Sequence, residues 1–373
     1  MLRTLLICAN ETRRHVIQSA ADDTRLVRID DSFEHYPDGN SLTRILSRFA
    51  PAVVIVDGQD LELGLASAAT VRRQSPGAAI LGVNASRDRY GPLRESIPIT
   101  IPYPPDVELL SDGLSIAVHK GETRHIQNLI AFLPAKAGAG SSTVAFNTAA
   151  AMAAAGRRVL LIDADLRSGV LSFMLSCLPI GSMQKALEAI SEEEALTWST
   201  YCTRAHDIDF LLSGRTVMSP PPTWAHYYAL LQSATARYDT VLVDLPELVN
   251  PATVEVVKSA CHVMVVATQE VLCLKMAQRR ERELVEWGVP DDRVKILVNR
   301  WHKQEIDKEG IEKFLKRPVF TTFPNDFPGV RKATLAGAPV APSSSLGQSF
   351  QAFVQKLSGA KVQTGWLAKL RLS

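Results

Sequence analysis

The sequence predicts two doubly wound α/β units in tandem. Three observations carry this: short apolar runs recur along the chain, each is bounded by a turn or polar residue, and helical segments separate them. Strands that read as continuous apolar runs are those covered on both faces, as in parallel sheets. The length of 373 residues agrees, because domains average roughly 150 residues. In the first series the predicted strands are 4–8, 26–29, 52–56, 79–83 and, with a weaker pattern, 97–101, followed by a helix over 106–119. The second series runs through 129–133, 159–162, 209–212, 240–243, 263–267 and 294–298. The polar segment Lys120-Gly-Glu-Thr-Arg-His125 marks the join. The expected domains are therefore 1–122 and 123–359, with a tail over 360–373.

Composition narrows the class. With 46% apolar and 21% charged residues the chain is ordinary for a globular protein, which excludes disorder, collagen and coiled coil. Lys and Arg total 41 against 39 Asp and Glu, a net charge of +2, so bulk electrostatics make no case for nucleic-acid binding and no specific nucleic-acid partner is expected. No apolar run approaches the roughly 18 to 20 residues of a membrane span. The opening run is too short for a secretory signal and reads as the first strand, so the expected location is the cytoplasm. Cys8, Cys177, Cys202, Cys261 and Cys273 form no CxxC pair and read as buried free thiols in a reducing compartment. The eight histidines show no HExxH spacing, which argues against a protein-built zinc site.

The most informative segment is residues 128–156: a strand, a small-residue loop, then an Ala-rich helix closed by Gly156. Backbone amides of such a loop, with the positive end of the following helix, make an anion site suited to phosphates. Against the pattern GxxxxGK[ST], Ala135 replaces the first glycine and Ser141 the phosphate-gripping lysine. Yet Lys136-Ala137-Gly138-Ala139-Gly140-Ser141-Ser142-Thr143 resembles the deviant Walker A motif of the MinD/ParA superfamily, in which the early lysine reaches a partner's phosphates across a nucleotide-sandwich dimer. Three later segments follow that family's order. Residues 157–167, a strand followed by Asp163 and Asp165, resemble switch I, where the resemblance assigns the first acid to the magnesium surroundings and the second to the attacking water. Residues 238–246, with Asp244 at the strand end, resemble Walker B, whose carboxylate holds magnesium-bound water. Residues 295–300 resemble the segment whose asparagine, here Asn299 beside Arg300, reads the adenine edge. Each acid sits at the carboxyl end of a predicted strand, where α/β sheets bind ligands.

Leu245-Pro246, the segment around 271–280 and the ending Val330-Arg-Lys-Ala-Thr-Leu-Ala-Gly-Ala-Pro-Val340 resemble CpaE/TadZ pilus-assembly proteins. The implied architecture is a receiver-like (flavodoxin-like) N-terminal domain followed by a MinD/ParA-like doubly wound P-loop NTPase domain. The implied cofactors are ATP and Mg2+, held by residues 136–143, Asn299 and Arg300, with Ser142, Asp163 and Asp244 on the metal and Lys136 and Asp165 in catalytic positions. Residues 45–57 resemble the helix and third strand of a two-component receiver, with Asp57 at the phosphoacceptor position. Phosphotransfer there needs an acidic pair after the first strand and a lysine after the fifth; the chain offers Asn10-Glu11 and Ile101-Pro102. One acid and the cation are gone, so a pseudo-receiver used for docking or dimerisation is expected.

The resemblance implies a homodimeric scaffold or localisation protein for a Flp/Tad-type pilus or related secretion machine, at the cell pole or membrane. Loss of the lysine implies slow or absent ATP hydrolysis. A ParA/MinD-type partition or positioning ATPase and a receiver-domain response regulator are the alternatives. On a helix, Trp366, Leu367 and Leu370 of the basic tail would share a face flanked by Lys369 and Arg371, which suits a peripheral membrane contact.

Overall fold

A computed structural model describes residues 1–85, 93–97, 99–120, 125–191, 196–214 and 221–358. The 360–373 tail and most of the 120–125 join lie outside them. The chain divides into two compact units. One is Met1–Arg124 with Ser191–Glu193 and Thr223–Ala229; the other is His125–Ile190 with Glu194–Pro222 and Leu230–Ser373.

The first unit is built on strands β1 (Leu2–Ile7), β2 (Val27–Phe33), β3 (Val53–Gly58), β4 (Ala79–Asn84) and β5 (Thr100–Ile101). They pair in the order β2-β1-β3-β4-β5, every pair parallel, the flavodoxin-like order with its switch point between β1 and β3. Successive side chains of a strand point to opposite faces, and here both faces are buried. Leu6, Val53, Ile55 and Leu81 join one core with Ile17, Leu110 and Leu114. Leu5, Ile7, Val54 and Val56 join another with Leu42, Leu46 and Val71. That two-sided burial is why these strands read as unbroken apolar runs. Of the expected strand at 97–101, Thr100–Ile101 is observed as strand, and a short helix covers Leu93–Ser96. The predicted 106–119 helix is observed as Val107–Lys120.

The second unit carries β6 (Ile126–Pro134), β7 (Val159–Asp163), β8 (Thr203–Ala205), β9 (Ile208–Leu211), β10 (Thr240–Asp244), β11 (Ala260–Ala267), β12 (Val294–Trp301) and β13 (Val319–Pro324). The order is β13-β12-β11-β6-β10-β7-β9-β8. Two edge strands depart from the expected purely parallel sheet of six. β8 is antiparallel to β9, joined through His206 and Asp207, both in the left-handed region. β13 pairs parallel with β12, but it is half exposed and rich in threonine, so it carries no continuous apolar run. The order reverses direction around β6, so the loop after this strand opens into the crevice where such sheets take ligands. Among the described residues no helix is long and apolar enough to cross a membrane.

Candidate functional site

Strand β6 ends at Pro134 and the helix Ser141–Ala154 begins seven residues later. The loop between them bends through Gly138 (φ 78°) and Gly140 (φ 91°), both in the left-handed region that side chains disfavour. Gly140 is the residue before the helix, and no side chain caps it. The first-turn amides, which have no intrahelical acceptor, are left for another anion. A Cβ on Gly140 would stand 2.2 Å from Asn299 Nδ2, an atom that donates to the Ala139 carbonyl at 3.0 Å. Gly140→Ala should therefore cost about 1–3 kcal/mol of stability and move the loop, with a parallel loss of phosphate affinity. Thermal unfolding and a phosphate-ligand titration on the same sample check both effects.

The loop faces a cavity of about 1020 Å³. Its base holds two carboxylates from neighbouring strands, for Asp244 of β10 is paired in register with Asp163 of β7. Both are buried, at 5% and 1% exposure. Ser141 Oγ donates to Asp244 Oδ1 at 3.1 Å, and the Ser142 hydroxyl donates to Asp244 as well. The hydroxyl at the lysine position is thus spent on the acid. Asp163 accepts the amides of Asp165 (3.2 Å) and Leu171 (3.3 Å), and Asp165 Oδ1 accepts those of Arg167 (3.1 Å) and Ser168 (2.8 Å). Gly169 closes this turn because a Cβ there would stand 2.5 Å from Asp163 Oδ2.

Burial, and then the nearby Asp244 charge, push Asp163 up to about 8; burial pushes Asp244 up to about 7 against the serine hydroxyls that hold it down. Paired buried carboxyls with a hydroxyl beside them are a hard-oxygen donor set that fits Mg2+, whose charge would offset their repulsion. The folded state keeps protons that the unfolded chain loses near pH 4, so metal-free stability should fall as the pH rises from there to about 8. Melting curves in chelator at pH 5 and pH 8 test this, and added Mg2+ should flatten the dependence while releasing protons.

Residues 127–279 match a family model described as an AAA domain. The septum site-determining protein MinD of Thermotoga maritima is 22% identical over 246 residues, spanning 63% of this chain and 89% of that one. A ParA family ATPase from Chlorobium tepidum superposes with a TM-score of 0.56 at 22% identity, covering 61% of this chain and 97% of its own. MinD of Pyrococcus horikoshii, solved with Mg-ADP, superposes at 0.52 and 21% identity, covering 66% and 99%. The second unit has a MinD/ParA-like P-loop fold.

On this MinD/ParA-like frame, Ala137 to Thr143, Asp163, Asp165, Asp244 and Arg300 all line the one cavity. Two of the expected site residues make contacts within the chain. Lys136 Nζ is held at 2.8 Å by Glu270 of its own chain, in a pair 35% and 58% exposed. That hydrogen bond raises the lysine's pKa and lowers the glutamate's. Exposed pairs of this kind are weak, so Lys136 can exchange Glu270 for another anion. Asn299 is buried and spends its amide on the phosphate loop, which makes it a support for Ala139 and Gly140. Sequence reasoning missed Glu270, Gly169 and Arg167, since nothing in their local sequence marks them. Of the cysteines, Cys177 is only half-buried, and the other four are buried as expected.

In the first unit Asp57 is fully buried, where a phosphoacceptor would need access. Arg13 grips it with two guanidinium bonds, one of them from Nε to Oδ2 at 2.9 Å. The same guanidinium donates to the Asn84 and Ala85 carbonyls and stacks 3.6 Å from the centre of the Tyr103 ring. Cys8 Sγ donates to Asp57 at 3.3 Å; burial, with Asp57 adding to it, pushes that thiol up to about 12. Asn10 caps the helix Glu11–Thr24 through the Arg13 amide, and Ile101 is buried in the core. Where a receiver would carry its acidic pair, the chain thus has a helix cap and an exposed acid. The cation comes instead from Arg13.

Proposed function

We propose that this chain binds Mg-ATP and dimerises over it as a scaffold, with slow or absent hydrolysis. The observation that carries the reading is the loop itself: its glycine geometry and free helix amides are kept, while Ser141 stands at the lysine position with its hydroxyl on Asp244. Main-chain amides of residues 138–142 would hold the phosphates. Ser142, Asp163 and Asp244 would hold the metal, with Asp165 at the water position. Bound ATP supplies a γ-phosphoryl group open to attack by water. The chain contributes too little positive charge of its own at the lysine position to stabilise that transfer.

Dimerisation is supported by the apolar rim. Leu248 is 75% exposed and Phe173 72% exposed, with Val170 and Val249 also exposed, and Val170, Leu248 and Val249 line the cleft. Apolar patches of this kind mark surfaces that another protein covers. Lys136 would exchange Glu270 for the partner's phosphates. We read the first unit as a pseudo-receiver that offers a docking or dimerisation surface, and the whole as an assembly hub for a Flp/Tad-type pilus or secretion machine.

The test is sedimentation of the full chain with and without Mg-ATP. The expected result is a nucleotide-dependent dimer that Lys136→Ala abolishes while nucleotide still binds; a monomer at saturating Mg-ATP would refute the sandwich. The similarity to MinD and ParA favours a second reading, a positioning ATPase. Rapid steady-state turnover with DNA binding at physiological salt would select it, whereas recovery of a secretion ATPase in pull-down would select the pilus reading.

A further inference from the structure

We propose that Arg167 supplies, from within the same chain, the positive contact to the terminal phosphate that the phosphate loop has lost at Ser141. The inference rests on the ATP-binding reading and assigns a residue to it.

The charge inventory of the cleft leads there. Among the described residues that line it, the carboxylates are Asp163, Asp165, Asp244 and Glu247, and the cations are Arg167 and Arg300. Lys136 is tied to Glu270 outside that wall. A triphosphate entering a cavity richer in acids than bases needs a cation near its terminal group, because Mg2+ and neutral amides leave part of the charge uncompensated.

Position separates the two arginines. Arg300 follows Asn299 at the end of β12, with a left-handed backbone. It stands close enough to Lys136 and Glu270 to lower the pKa of each, so it belongs to their side of the cleft. Arg167 lies on the turn that leaves β7, and its amide is bound by Asp165 Oδ1 at 3.1 Å. The Asp165 amide is in turn bound by Asp163 at 3.2 Å. The backbone that presents Arg167 is therefore tied through Asp165 to Asp163, one of the carboxylates that would hold the metal, and Arg167 lines the cleft beside them.

Arg167 is also uncommitted. Its side chain is exposed, and among the described residues it makes no hydrogen bond or ion pair, whereas Arg158, Arg204 and Arg317 in the same unit are all held by carboxylates. A planar guanidinium can meet a phosphate with two parallel hydrogen bonds, which serves binding of the terminal phosphate in the ground state. A contact confined to the terminal phosphate separates ATP from ADP.

The experiment is calorimetric titration of the full-length wild type, Arg167→Ala and Arg167→Lys with Mg-ATP and with Mg-ADP. Arg167→Ala should weaken Mg-ATP about ten- to hundredfold and leave Mg-ADP within about threefold, with Arg167→Lys between the two and melting temperatures unchanged. Equal losses for both nucleotides, or unchanged Mg-ATP affinity in Arg167→Ala, would overturn the assignment of Arg167 while leaving nucleotide binding intact. Failure of the wild type to bind either nucleotide would overturn the ATP-binding reading and this inference with it.

Discussion

Arg13→Ala is expected to destabilise the first unit by about 3–5 kcal/mol, the usual cost of breaking a buried ion pair from one side. The side chains of Arg13 and Asp57 are 10% and 0% exposed, so water cannot replace the guanidinium. The substitution strands the Asp57 carboxylate beside Cys8. It also removes the guanidinium bonds to the Asn84 and Ala85 carbonyls and the cation from the Tyr103 ring. Denaturant unfolding of the full chain measures the loss. The double variant Arg13→Met/Asp57→Val should recover most of it, because well-packed apolar replacements of a buried pair are often neutral. A loss below about 1 kcal/mol for Arg13→Ala would mean that Arg13 is not the internal counter-ion of Asp57.

Ser141→Lys is expected to raise the single-turnover rate of ATP hydrolysis by about 10²–10³-fold, the typical worth of one preorganised contact to a developing charge. Ser141 is buried at the first position of the helix after the loop, with its hydroxyl on Asp244. A lysine there would reach the phosphates and would also draw Asp244 down from about 7, leaving it ionised for the metal at neutral pH. Retained Mg-ATP binding with an unchanged rate would show that the absent lysine is not what limits hydrolysis.

What could be read from the chain follows from how each feature is encoded. The cradle at 136–143 was legible because strand, glycine loop and helix are contiguous, so local backbone preference writes the site. Asp163 and Asp244 were legible because the end of a parallel strand fixes where its last side chain goes. The features that stayed hidden are made by residues far apart in sequence. Arg13 and Asp57 are 44 residues apart, and Asn299 meets Ala139 across 160. Nothing near Arg13 announces its partner, and Asn10, which stands where an acid is needed for phosphotransfer, spends its side chain as a helix cap. Likewise β8 and β13 lie at the sheet edges, where one-sided burial erases the continuous apolar pattern that revealed the inner strands.

Amides and hydroxyls should hold a triphosphate where the loop has no lysine. The deciding measurement is amide hydrogen exchange of residues 138–143 in the wild-type chain, with and without saturating Mg-ATP. Strong nucleotide-dependent protection of the loop and first helical turn, lost in Gly140→Ala, is the expected result. Unchanged exchange at every one of these amides in the presence of Mg-ATP would contradict it.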